Sequence, residues 1–280
     1  MNYSWIKLSN PVALWWLFLN IASLFNIILW NWTRLYKYKN FSILKFKFWE
    51  LKSENLIWLS AIYVFGCAYR SYFLKADVQR ICVFDSWFSS VFLGRSIATF
   101  AELAFIIQWT IVLKKLCQMH KLDTIKILHQ AIIPLIIIAE CFSWYAVITT
   151  NYLGNVIEES LWATTYFLIF ILIWNLKKKY FGAFKFAIIT TLFLDFIYLL
   201  FMITVDIKMY FNRYINDTNN QKVYLTFKEG ILDLNTKWIV THDIYAWKTE
   251  IPWITLYFSF AVLVSIGLCL VPLTIEKKSK

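Results

Sequence analysis

Runs of about twenty apolar residues recur along this 280-residue chain, at 12–32, 55–74, 92–113, 129–150, 160–176, 186–206 and 252–272. A helix rises about 1.5 Å per residue, so roughly 20 residues cross a hydrocarbon core of about 30 Å. Lipid offers no partner to backbone N–H and C=O groups, and a helix satisfies them all within one segment. The pattern therefore predicts an all-α integral membrane protein: a bundle of about seven transmembrane helices in a single polytopic domain, 1–280. The fifth run, 160–176, is the shortest.

Composition agrees with that reading. The chain is 60% hydrophobic and 16% charged, against about 45–50% and about 25% in soluble domains, and its mean hydropathy is +0.58. Fifteen Trp, sixteen Tyr and twenty-five Phe suit a protein whose rings sit at membrane interfaces and face lipid. A net charge of +11 could suggest a nucleic-acid partner, but the basic residues fall in short runs between apolar stretches. Orientation explains them better, and no nucleic-acid partner is expected. The segments 33–54, 114–128, 177–185 and 273–280 carry 17 Lys/Arg in 54 residues, against 9 in 82 for 1–11, 75–91, 151–159 and 207–251. The positive-inside rule then places the N-terminus outside and the C-terminus in the cytoplasm. The first run is too long for a signal-peptide core and serves as the insertion signal itself.

Segment 207–251 is the longest piece outside the runs and is expected to form a small outer cap loop. Its stretch from Lys222 to Leu234 reads as two short strands joined at Gly230, a β-hairpin. Trp238, Tyr245, Trp247 and Trp253 are expected to seat the cap at the headgroup level. Asn216-Asp217-Thr218 is an outer glycosylation sequon in a eukaryotic host, whereas Asn31-Trp32-Thr33 and Asn40-Phe41-Ser42 fall on the cytoplasmic side.

Ionisable residues within spans are costly, about 2.5 to 3.5 kcal/mol each on insertion scales, so each needs a reason. Glu102, Glu140 and Asp195 all fall near the midpoints of their runs. Arg95, Thr99 and Glu102 share one stripe of span three, with Arg95 within reach of Glu102. His129, Glu140, Ser143, Trp144 and Asn151 share a stripe of span four, and Asn20 is near the middle of span one. Glu102, Glu140, Asp195, Arg95, Thr99, Ser143 and Asn20 are thus the expected lining of a midplane site for a proton or ligand. The structural alternative is protonated carboxyls that hydrogen-bond one helix to another, a weak stabilisation of about 0.6 kcal/mol each on average. Arg70, Lys75, Asp77, Arg80 and Asp85, followed by Trp87 and Arg95, form a second group at the outer end of spans two and three. It reads either as an outer vestibule, with Asp77 and Arg80 paired as on a helix, or as a solvated loop with incidental ion pairs. Glu158, Glu159 and Asp206 are read as solvated outer residues.

Known chemistries are mostly excluded. Three His and five Cys are too scattered for a metal or haem site, so no metal or cofactor is expected. Span seven has no Lys for a retinal Schiff base, and no Walker, GxGxxG or GxSxG motif occurs. What is left is a proton- or cation-coupled carrier or channel with a midplane carboxylate site. Short cytoplasmic loops favour this over a seven-helix receptor with an acidic pocket for a cationic small molecule. The third reading is an intramembrane enzyme using paired carboxylates. The expected partners are the lipid bilayer and a small cation, proton or small-molecule ligand; the expected location is a plasma or bacterial inner membrane.

Overall fold

The computed structural model describes residues 5–7, 9–37, 55–120 and 126–271. In chain order the elements are α1 (Pro11–Lys37), α2 (Leu56–Tyr72), β1 (Lys75–Ala76), β2 (Ile81–Cys82), α3 (Val91–Met119), α4 (Lys126–Thr149), α5 (Tyr152–Leu176), α6 (Gly182–Phe201), α7 (Ile207–Asn219), α8 (Phe227–Thr236), β3 (Ile239–Val240), α9 (Ile244–Trp247), α10 (Ile251–Thr255) and α11 (Ala261–Leu268). Among the described residues, six helical stretches are long and apolar enough to cross a membrane: Pro11–Tyr36, Val91–Met119, Leu128–Thr149, Tyr152–Lys179, Phe184–Asn219 and Ile251–Leu268. The architecture is that of an all-α membrane protein. The second run of the sequence forms α2, a 17-residue helix. The Asn40 sequon and most of 33–54 lie outside the described residues.

The chain divides into two compact units, Met1–Gln108 with Ile231–Lys280, and Trp109–Gly230. In the first unit α1, α2 and α11 pack on one another. Leu14, Leu17, Phe18, Ile21, Leu24, Phe25 and Ile28 of α1 remain exposed, an apolar face suited to lipid and too large for water. A buried polar staple locks α2 to the last helix: Gln108 donates to the Leu56 carbonyl at 3.0 Å, and Ser265 Oγ donates to Gln108 Oε1 at 2.6 Å. Residues 256–260, between α10 and α11, form a π-helical turn. Asn26 Nδ2 donates to the Ser259 carbonyl there at 3.3 Å, supplying a donor where the widened turn disturbs the α-helical ladder.

The connection after α2 is ordered. β1 and β2 pair antiparallel, and β3 joins β2 in parallel, so residues 75–82 and 239–240 form one three-stranded sheet. Trp247, expected at the headgroups, is instead fully buried and donates to the Thr241 carbonyl at 3.0 Å.

In the second unit α5 packs against α4, α6 and α7. The helices here run beyond the expected apolar runs. The helix of the sixth run continues past 206, because α6 runs through a π-helical turn at Met202–Asp206 directly into α7. Nothing between 200 and 219 breaks a helix: neither Gly nor Pro occurs there. The helix of the fifth run begins before 160: α5 starts at Tyr152 with Asn151 as its N-cap, accepting from Leu153 N at 3.0 Å. Asn151 therefore caps α5 and does not extend the stripe of α4. Finally, the expected hairpin of 222–234 is largely α8. Thr226-x-x-Glu229 is a capping box: Glu229 Oε2 accepts from Thr226 N at 3.0 Å, and Thr226 Oγ1 accepts from Glu229 N at 3.4 Å. Gly230 is no turn residue. A Cβ there would strike the backbone of Ile148, so it is a point of close approach.

Candidate carboxylate site

The α4–α5 hairpin builds the site. Its turn has two residues, Thr150, in the left-handed region at φ 59°, and the cap Asn151. Below the turn the helices touch closely: a Cβ on Gly154 would meet the Phe142 carbonyl at 2.7 Å and the Ala146 methyl at 2.8 Å. Small residues at a crossing let helix backbones approach in lipid, where dispersion and hydrogen bonding must replace the hydrophobic effect. Glu158 follows Gly154 by one helical turn and so projects onto α4.

There it finds Glu140. Carboxylate oxygens of Glu140 and Glu158 lie within 4.8 Å of each other, and both residues are buried, at 4% and 5% exposure. Glu140 is nine residues before the end of α4 and Glu158 six after the start of α5, roughly 13 Å and 9 Å along the helices from the turn. Two ionised carboxylates at that separation repel by about 3 kcal/mol at an effective dielectric near 20, a repulsion that a proton or a neighbouring positive charge relieves. Asn155 Nδ2 donates to Glu158 Oε2 at 3.0 Å. The Oδ1 of the same amide, and Ser143 Oγ one turn beyond Glu140, are buried with no hydrogen-bond partner among the described residues.

Glu102, of the first unit, is held differently. Arg95 Nη2 meets its Oε2 at 2.9 Å, as the stripe predicts, and the Tyr257 hydroxyl donates to its Oε1 at 2.9 Å. Tyr257 lies in the π-helical turn of the last span. Such an acid is neutralised and fixed. Thr99 lies half-buried in the same helix. Asn20 bonds to the Trp16 carbonyl at 2.7 Å and the Ser71 carbonyl at 3.4 Å, joining α1 to α2 rather than to a carboxylate. Asp195, of the second unit, is buried on α6, and neither of its oxygens has a hydrogen-bond partner among the described residues.

The outer group is not the solvated loop that was one of its readings. Arg70 pairs with Asp77 at 3.4 Å and lies 5.5 Å over the Phe258 ring. Asp77 and Arg80 are not a helical pair, because 77–80 form the tight turn between β1 and β2. Arg80 instead bonds Asp233 at 2.6 Å. Asp85 is exposed and accepts from Trp238 Nε1 at 2.9 Å. Lys75, buried at 2% exposure, donates to the Ser90 carbonyl at 2.7 Å and the Phe88 carbonyl at 3.3 Å. It occupies the space that a Cβ on Gly94 would take.

Sequence reasoning missed Glu158, Asn155, Tyr257 and Asp233. A signal for the first two existed: Asn151, Asn155, Glu158 and Trp162 recur at four, three and four residues, one stripe of a helix that an Asn cap could open. Comparison of the chain with protein-family models, with curated proteins and with solved structures finds no match in any of the three.

Proposed function

We propose that the protein is a proton- or cation-coupled carrier or channel whose titratable site is the Glu140–Glu158 pair. It crosses the membrane seven times, with the N-terminus outside and the C-terminus in the cytoplasm. Six spans are the long apolar helices, and the seventh is α2, whose 17 residues extend about 26 Å, close to the hydrocarbon thickness. The observation that carries the reading is two buried carboxylates within 4.8 Å, flanked by an amide oxygen and a hydroxyl with no partner among the described residues. Carboxyls placed so can bind and release a positive charge in exchange for protons.

The test is proton and cation flux into liposomes reconstituted with the wild type and with Glu140→Gln, Glu158→Gln, Glu102→Gln and Asp195→Asn. Flux is expected in the wild type and is expected to fall to background in Glu140→Gln and Glu158→Gln while the thermal transition persists. Glu102→Gln is expected to lower the thermal transition, because Arg95 loses its charged partner. No wild-type flux, with all four variants merely less stable, sinks the carrier reading.

A further inference from the structure

The connection between α5 and α6 differs in charge from every other basic segment of the chain. Residues 177–185 carry four Lys and no acid in nine positions. The other three basic segments all contain acids: Glu50 and Glu54 in 33–54, Asp123 in 114–128 and Glu276 in 273–280. Orientation does not require that difference, because Asp and Glu contribute little to the positive-inside rule. A negatively charged partner does require it. We infer that this connection binds the headgroup of an anionic phospholipid, with Lys178, Lys179 and Lys185 around the phosphate and the exposed apolar side chains of α6 along the acyl chains. The site is independent of the carboxylate pair and stands whether or not the chain carries ions.

The local structure sets the lysines around one end of the two helices. A 3-10 turn at Lys177–Lys179 follows α5 directly, and α6 begins at Gly182. Lys177 turns back onto the Trp174 ring, its Nζ 3.9 Å from the ring centre, while Lys178 and Lys179 are exposed. Tyr180 packs between rings, 4.7 Å from His120 and 4.5 Å from Phe184, whereas its neighbour Phe181 is 76% exposed. Helical side chains tilt toward the N-terminus, so Lys185 leans to the same end as Lys178 and Lys179. Residues 185, 189, 193 and 197 form one row of α6, with Lys185 at its head and the exposed Ile189, Phe193 and Ile197 below it.

A charged head above an apolar track is the shape of a phospholipid. Zwitterionic lipid would match the track but leave the lysines without a counter-charge: no Asp or Glu occurs between Glu159 and Asp195. The Lys ammonium is a compact point charge that needs no fixed fork of acceptors, which suits a mobile headgroup. The connection lies on the side proposed to be cytoplasmic, the leaflet in which anionic lipids concentrate.

The experiment is native mass spectrometry of the detergent-purified full chain given equal amounts of phosphatidylglycerol and phosphatidylcholine with the same acyl chains. The anionic lipid is expected to be retained at least tenfold over the zwitterionic one. Lys178→Gln with Lys179→Gln is expected to remove most of that preference, since each lysine beside an anionic headgroup contributes about fivefold. Lys178→Arg with Lys179→Arg, which conserves the charge, is expected to keep it. Lys208→Gln with Lys228→Gln removes two exposed lysines elsewhere in the chain and is expected to leave it unchanged. Equal retention of the two lipids by the wild type overturns the site, and that comparison decides even where a variant fails to fold. An equal loss in the Lys208 and Lys228 variant also overturns it, because net charge alone would then explain the preference. Displacement of the lipid by millimolar inorganic phosphate would show a site for soluble anions and overturns the lipid site as well.

Discussion

Lys75 shows how one residue outside the spans sets a pH response. Burial strips water from its ammonium and lowers its pKa from 10.5 to about 8, with Asp77 opposing the shift and Arg70 reinforcing it. The folded chain then binds fewer protons at this position than the unfolded chain between pH 8 and 10.5, so stability rises with pH in that interval and is flat below it. The Cys82 thiol, pushed up by burial to about 11, acts with the opposite sign above its ordinary value of 9. The clean window is therefore pH 8 to 9, where thermal unfolding should gain on the order of 1 kcal/mol per pH unit from Lys75. Lys75→Met should melt without that rise, and an unchanged slope would show that the ammonium is hydrated in the folded chain. The α8 cap is a second case at this scale. Thr226→Ala removes the side chain that closes the capping box with Glu229 and should lower stability by about 1 kcal/mol, measured by the same melts. The T-x-x-E signature is present in the sequence, but Val223, Tyr224, Leu225 and Phe227 around it have strand propensity, a preference that tertiary context decides.

Elements were legible wherever apolarity alone defined them, and misread wherever polar residues belonged to a span. The ends of α1, α3 and α4 differ from the apolar runs by a few residues, whereas α5 was cut short by Glu158 and Glu159. An acid at a span end and an acid buried by a facing helix are identical in hydropathy. Only the packing of α4 on α5, which a single sequence does not encode locally, separates them. That packing depends on Gly154. Gly154→Leu should force the hairpin apart, lowering stability by roughly 1 to 3 kcal/mol as an overpacked contact. It should also abolish flux by withdrawing Glu158 from Glu140. Gly267 is the internal comparison: no atom lies within 4 Å of a Cβ built there. Gly267→Ala should be neutral or stabilising by up to about 1 kcal/mol, since Ala is the better helix former. Equal losses at the two positions would show that α4 and α5 do not depend on close approach. Arg95 and Glu102 were read correctly for a local reason: seven residues along one helix fix their alignment whatever packs outside. Tyr257, at 155 residues' separation, could not be read that way.

At the scale of the whole molecule the alternation of Lys and Arg depends on α2 crossing the membrane. With seven spans, 17 basic residues in 54 lie on one side and 9 in 82 on the other; removing one crossing from the middle of the series mixes the two sets and erases the asymmetry that orients such chains. The structure supplies α2 with 17 helical residues, mostly buried among its neighbours in the first unit. Arg70 in its last turn is paired with Asp77 rather than exposed to lipid. A helix covered in this way need not be apolar all round. Tyr36 and Trp87 bracket α2 and are exposed at 58% and 54%, so a cysteine at either should react without disturbing a core. In a background lacking the five native cysteines, Trp87→Cys should react with a membrane-impermeant maleimide on intact cells, and Tyr36→Cys only after permeabilisation. Labelling of both from the same face would mean that α2 does not cross. The charge asymmetry would then need another cause, and a carrier with both termini on one side would have to be considered in place of the seven-span reading.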